Sequence, residues 1–371
     1  MLKLQLASLV AGHGMLVHPP SRNAVDRTLE EFANGAWPAQ TDGCNCADSR
    51  GGCPAASAAR ASGGGQACLW FSQGCAIGCP SCTNLHGHTN VSLCEHPTAT
   101  ATLNSPALRT MNVDAPPGTE RDVYRFNPWR APGTAPVADS CGMAGGSPHP
   151  VRQDAALFYD TAFARQGDLG SKVLAPAPSG TVWARGSAQE VAWAIRYNHG
   201  GGYAYRLCPA GQPLTEACFQ RTHLRFVGRP SLRWNDGKEL HFNGTYISEG
   251  THPPNSMWAR NPIPRINDSP EDSGSPAPYN HSACRDPAVG GGCRQFEEVC
   301  ESASPPWWPI EPTARKGDIE GMCSGDWTGG VIVDHVRIPA TLPAGEYVLS
   351  WRWDCEETAQ IWAACADVTI S

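Results

Sequence analysis

The chain is short of charge. Asp, Glu, Lys and Arg make up 17% of its 371 residues, with a net charge of −7. It has no long basic run, so it lacks the positive footprint that a phosphate backbone demands, which argues against nucleic acid as a partner. Beyond the first twelve residues no apolar segment is long enough to cross a bilayer, so no membrane span is expected. Internal repeats and a freeing linker are both missing, which leaves one domain as the expectation. The triplets Gly63–Gly65 and Gly290–Gly292 lack the strand-to-helix setting of a phosphate loop. A nucleophile elbow with ordered Ser, His and Asp is also missing, which weakens a hydrolase reading. Nor is there a flavin or haem motif, so any redox chemistry needs an external electron donor.

What the chain does have is 39 glycines, 33 prolines, 17 cysteines and 41% hydrophobic residues. That is enough apolar material for a core, in a composition that favours turns and loops over long helices. The cysteines point to an oxidising compartment. Their odd number leaves one for a free thiol or an intermolecular bond. The opening MLKLQLASLVAG holds one basic residue, Lys3, then an apolar run ending in small residues, Val10 and Gly12. Residues 1–12 read as a signal peptide, and the secreted, extracellular chain then begins at His13. The competing reading makes the leader a core strand and His13 an ordinary loop residue. Asn90, Asn243, Asn267 and Asn280 each open an acceptor tripeptide for glycosylation, in agreement with secretion.

Along the chain, Pro19-Pro20 forces an extended or turning path after His13. Residues 41–100 hold a dense run of cysteines, from Cys44 to Cys94, and read as a disulfide-held insert with little core of its own. Residues 101–150 are Pro/Gly-rich loop, and residues 250–320 are Pro/Ser/Asn loop with a further cysteine group at Cys284, Cys293, Cys300 and Cys323. Between and after these lie strand patterns: Thr181–Trp183, Gln189–Arg196, Tyr203–Cys208, Val331–Ile338, Gly345–Trp353 and Cys365–Ile370. The fold class expected is all-β: an immunoglobulin/fibronectin-like β-sandwich over residues 13–371, with long disulfide-rich loops, closed by pairing distant parts of the chain.

Several residues invite chemistry. An N-terminal His13 would offer its free amine and a ring nitrogen together, a chelate at right angles that suits square-planar copper. His199 is followed by three glycines, so its backbone can turn sharply and its imidazole can reach an open face; an ordinary solvent-facing loop histidine is the alternative. Gln360, two residues before the large aromatic Trp362 in a terminal strand, can share a face with it and sit beside a metal. Trp362 by itself reads more simply as a core aromatic. Glu356 or Glu357 could donate a proton, though solvated surface charge is the stronger reading. Cys75, Cys79 and Cys82 have zinc-like spacing, but in a secreted chain disulfides are favoured. His86 and His88 read as an exposed loop. Tyr203, Tyr205, Trp37, Trp307 and Trp308 are weak candidates for a flat glycan-binding face.

Three motifs in order carry a resemblance: the HG…PPSR start, Asn-His-Gly-Gly-Gly-Tyr…Tyr-Arg-Leu-Cys around His199, and Gln-x-aromatic-x-x-Cys-Ala-Asp-Val from Gln360. Together the chain resembles the lytic polysaccharide monooxygenases and their chitin-binding type-4 relatives, over its start and residues from about 180 to 371. The resemblance implies a copper ion in a histidine brace formed by the amine and ring of His13 and the ring of His199. It implies that Gln360 orients the oxygen species and that Trp362 takes the axial position, where the family usually has Tyr or Phe. Trp is larger and has no phenol, so this chain departs from the pattern there. The implied activity is oxidative cleavage of an insoluble β-linked polysaccharide, chitin or cellulose, by a monomer. A non-catalytic carbohydrate-binding protein and a copper-handling protein stand as the alternatives.

Overall fold

A computed structural model describes residues 13–29, 66–79, 81–82, 125–149, 156–197, 199–234, 239–262, 330–356 and 358–371. Thirteen strands among them form two sheets. The first sheet runs β1 (His13–His18), β5 (Ala188–Tyr197), β11 (Gly330–Arg337), β7 (Arg225–Trp234) and β8 (Glu239–His241). The second runs β3 (Met143–Ala144), β2 (Trp70–Gln73), β13 (Gln360–Ile370), β12 (Gly345–Asp354), β6 (Gly202–Pro209), β10 (Trp258–Arg260) and β9 (Tyr246–Ile247). β4 (Pro178–Trp183) pairs with β13 in parallel, and the other pairings are antiparallel. The protein is an all-β sandwich, as the strand patterns predict.

The sandwich closes on aromatic rings. Alternation along β12 sends Tyr347, Leu349, Trp351 and Trp353 to one face, all of them in the main core. Trp193 of β5 meets them from the opposite sheet, 5.0 Å from Trp351 and 5.3 Å from Trp353 between ring centroids. The outward residues of β12 are buried too, because the 125–149 segment and a short helix at Glu216–Phe219 cover that side. The Cys141–Cys365 and Cys208–Cys218 disulfides sit there in a second apolar cluster with Val348 and Phe219.

The start of the described chain is bound to its end. Arg22 forms a buried ion pair with Asp367, its Nε 2.7 Å from Oδ2. Asn23 donates to the Cys141 carbonyl at 2.7 Å and accepts from the Cys365 amide at 2.9 Å. The PPSRN segment thus fastens β1 over β13 by side chains.

One expectation needs correcting. Part of the cysteine-rich stretch is built into the sandwich rather than lying outside it. Ala67–Phe71 belong to the main core, and β2 pairs through Phe71, Ser72 and Gln73 with Trp362, Ile361 and Gln360. The physical reason is the apolar Leu69-Trp70-Phe71 run, whose burial is worth about 1.5–3 kcal/mol per large side chain. Cys75 and Cys82 are joined, and Cys79 is disulfide-bonded as well, so the disulfide reading holds over zinc. Residues 1–12, His86, His88, Trp37, Trp307, Trp308, Glu357, Asn90, Asn267, Asn280 and both glycine triplets lie outside the described residues. Asn243 is exposed.

Candidate metal centre at one end of the sandwich

His13 opens β1, and its backbone pairs with Tyr197 at the end of β5, while Gly14 pairs with Ile195. Gly14 lies flat on the inner aromatics: a Cβ there would stand 3.0 Å from the Trp353 ring and 3.1 Å from Trp351. The chain leaves β5, turns through His199-Gly200-Gly201 and enters β6 at Gly202. The residue before Gly14 and the His199 turn therefore sit at the same end of the sandwich.

The turn explains its glycines. Gly200 and Gly201 have φ of 62° and 73°, the left-handed region that side chains disfavour. A Cβ on Gly201 would lie 2.1 Å from the Asp354 carbonyl oxygen. The end of β12 holds the turn at every residue. Glu356 N–H donates to the His199 carbonyl at 3.1 Å, Trp353 Nε1 donates to the Gly200 carbonyl at 2.7 Å, and Gly201 N–H donates to Glu356 Oε2 at 3.2 Å. Asn261 N–H donates to the Gly201 carbonyl at 2.8 Å, and Asn127 Nδ2 donates to the Glu356 carbonyl at 2.7 Å.

His199 is 1% exposed, and its ring stacks towards Trp353 at 6.4 Å with 29° between the planes. The ring is therefore buried where an open face was expected, with Trp353 on one side of it. Glu356 is also a correction: it is fully buried and braces the turn, where a solvated charge was the stronger expectation. Local sequence hides this, since nothing near Glu356 says which side of β12 its end faces.

Gln360 and Trp362 share the inner face of β13. Trp362 is fully buried, stacked on Phe71 at 4.2 Å and 6.3 Å from Trp353, as a core aromatic would be. Gln360 is fully buried; its Oε1 accepts from Thr358 Oγ1 at 3.0 Å and its carbonyl accepts from Cys355 N–H at 3.2 Å. Tyr203 and Tyr205 are not on a glycan-binding face. Both are buried between the sheets, where Tyr203 donates to Asp334 Oδ2 at 2.8 Å. The period-2 pattern that made β6 legible also turned both rings inward. Among the described residues no group of three or more His, Cys, Asp or Glu side chains is arranged to hold a metal, and no helix is long and apolar enough to cross a membrane.

No protein-family model matches the chain, and no curated protein matches it. Some solved structures match it weakly. An AA15 lytic polysaccharide monooxygenase from Thermobia domestica in the Cu(I) state is 14% identical, over 51% of this chain and 62% of that one, with a TM-score of 0.22. A chitin-binding domain from Burkholderia pseudomallei is 12% identical, over 56% and 66%, with a TM-score of 0.25. An AA10 lytic polysaccharide monooxygenase from Streptomyces lividans is 11% identical, over 54% and 63%, with a TM-score of 0.19. The chain spans less than two thirds of the length of each. At these scores the likeness carries no argument, and what those proteins bind or cleave is a statement about them.

Proposed function

We propose that the chain is a secreted, copper-dependent monooxygenase of a β-linked polysaccharide, chitin or cellulose. The observation that carries the reading is the pairing of His13 with Tyr197, which brings the backbone of residue 13 beside the strand end that leads into His199. Once the leader is cut after Gly12, the His13 amine, a His13 ring nitrogen and a His199 ring nitrogen would hold the ion. The donor chemistry fits, since three neutral nitrogens suit copper. The His199 turn fits too, because its backbone hydrogen bonds fix it before any ion arrives. Copper held there supplies the one-electron and oxygen chemistry that attack on a sugar C–H bond requires.

The rest falls to the protein. Glu356 and Trp353 hold the His199 turn. Gln360 would orient the oxygen co-substrate by hydrogen bonding, and Trp362 with Phe71 closes the inner side against water. The electrons come from an external donor, and the monomer acts on an insoluble polymer. The test incubates copper-loaded mature protein with chitin and with cellulose, a reductant and peroxide, and analyses soluble products by mass spectrometry. Oxidised oligosaccharides are expected from the parent and none from His199→Ala. Polymer binding with no oxidised ends would make this a carbohydrate-binding protein instead. Tight copper binding without any glycan binding would make it a copper carrier.

A further inference from the structure

Phe71 and Gln73 of β2 stand directly opposite Trp362 and Gln360 of β13. The stacking of Phe71 on Trp362 shows that these pairs point to the inner face, where Trp362 nears Trp353. Two residues along each strand, the same face carries the two glutamines. Gln73 is fully buried, yet neither its amide oxygen nor its amide nitrogen meets a hydrogen-bonding protein group. A primary amide has two donors and an accepting oxygen, and folded proteins rarely leave all of them unmet in the interior. A leucine or methionine would fill the same inward position at similar volume with no such cost.

The place is informative. The Gln360 carbonyl accepts from Cys355 N–H at 3.2 Å, and the next residue, Glu356, donates from its backbone to the His199 carbonyl at 3.1 Å. Gln73 on β2 and Gln360 on β13 therefore lie at the end of the second sheet where the next strand, β12, runs on to Glu356 and the His199 turn. We propose that Gln73, with Gln360, forms a buried two-amide subsite for one small neutral molecule that both donates and accepts hydrogen bonds: water or hydrogen peroxide. Amides are uncharged, and a buried ion would need a counter-charge. Any service to a copper centre rests on the reading above; the subsite itself does not.

The test uses crystals of the metal-free, full-length mature protein, diffracting well enough to show ordered water, before and after a hydrogen peroxide soak. One molecule within hydrogen-bond distance of the Gln73 amide is expected. A round peak unchanged by the soak identifies water, and a peak elongated after it identifies peroxide. A dry amide in both crystals overturns the proposal. Gln73→Leu is expected to lose the molecule without gaining stability. A rise in Tm of about 5 °C would mark Gln73 as nothing more than an unmet polar group and would also overturn it. Because both readouts use metal-free protein, a failure to bind copper would sink the monooxygenase reading and leave this result standing.

Discussion

Glu356 is the residue whose role the sequence hid most completely. Its carboxylate accepts from Gly201 N–H and its own N–H donates to the His199 carbonyl, so it grips the turn at both ends. A hydrogen bond to a charged group contributes about 1.5–3 kcal/mol, and 1.4 kcal/mol is a factor of ten in affinity. Glu356→Ala is therefore expected to weaken copper binding about tenfold or more and to alter the cupric spectrum. Glu356→Gln keeps an oxygen facing Gly201 and should restore most of both. An alanine variant with the parent's affinity and spectrum would show that the turn holds itself. Asp334 gives a second residue-scale outcome. Burial between the sheets raises its carboxyl from 3.8 to about 7, against the lowering effect of the Tyr203 hydrogen bond. A raised acid binds more protons in the folded state. Its stabilising contribution is complete below pH 3.8 and is lost as pH rises to about 7. Asp334→Asn, which still accepts from Tyr203, should remove that decline, on the order of 4 kcal/mol, in denaturant unfolding series from pH 4 to 7. Parallel pH profiles for the two proteins would contradict it.

At the scale of elements, legibility followed regularity. β5, β6, β11, β12 and β13 announce themselves because period-2 alternation and strand-forming residues run through them unbroken. β7 does not, because Gly228 (φ 73°) and Pro230 interrupt its apolar pattern where its pairing with β11 shifts register. β2 is four residues between cysteine-rich turns, too short to show a period. The outer face of the second sheet was equally illegible, since its arginines look like surface charge. Arg206 and Arg352 are 1% exposed at the side chain, and both bond Glu216 Oε2, at 2.6 and 3.0 Å. Arg352 also pairs with Asp354 at 2.6 Å. Ser140 donates to the other Glu216 oxygen at 2.8 Å, which draws the 125–149 segment onto the sheet. Burial alone would raise the Glu216 carboxyl, but the two arginines hold it well below the usual carboxylate range. The stabilisation is present above about pH 4.5 and erodes as pH falls further. Glu216→Gln leaves two arginines short of a counter-charge and should cost about 3 kcal/mol at pH 7, with the difference from the parent shrinking in acid. Chemical denaturation at pH 7 and pH 3 measures both; an equal difference at the two pH values would refute the pairing as its source.

For the whole molecule, the sandwich places the start of β1 at the end of β5, and under the proposed function that closure is what would give an amine at His13 a partner in His199. The closure was readable, because strand patterns far apart in sequence, β1 at the start and β12 and β13 at the end, can bury their apolar faces only in one closed sandwich. What the sequence hid was the burial of the His199 ring, since nothing local to it announces Trp353 of a distant strand as its neighbour. The amine itself supplies the sharpest molecular test. A free α-amine has a pKa of about 7.7–8.0 and must lose its proton to bind a metal. Copper affinity of protein beginning at His13 should rise about sevenfold between pH 6.5 and 7.5 through this group alone, and flatten above pH 8. Protein carrying one extra residue before His13 has no amine on that histidine. It should keep the fold and the Tm while losing both the tight affinity and that slope. Competition titrations on the two proteins across this pH range decide the matter. Equal affinity and equal slope would mean that the ion, wherever it binds, is not held by the terminal nitrogen, and the reading of the site as a brace would fail with it.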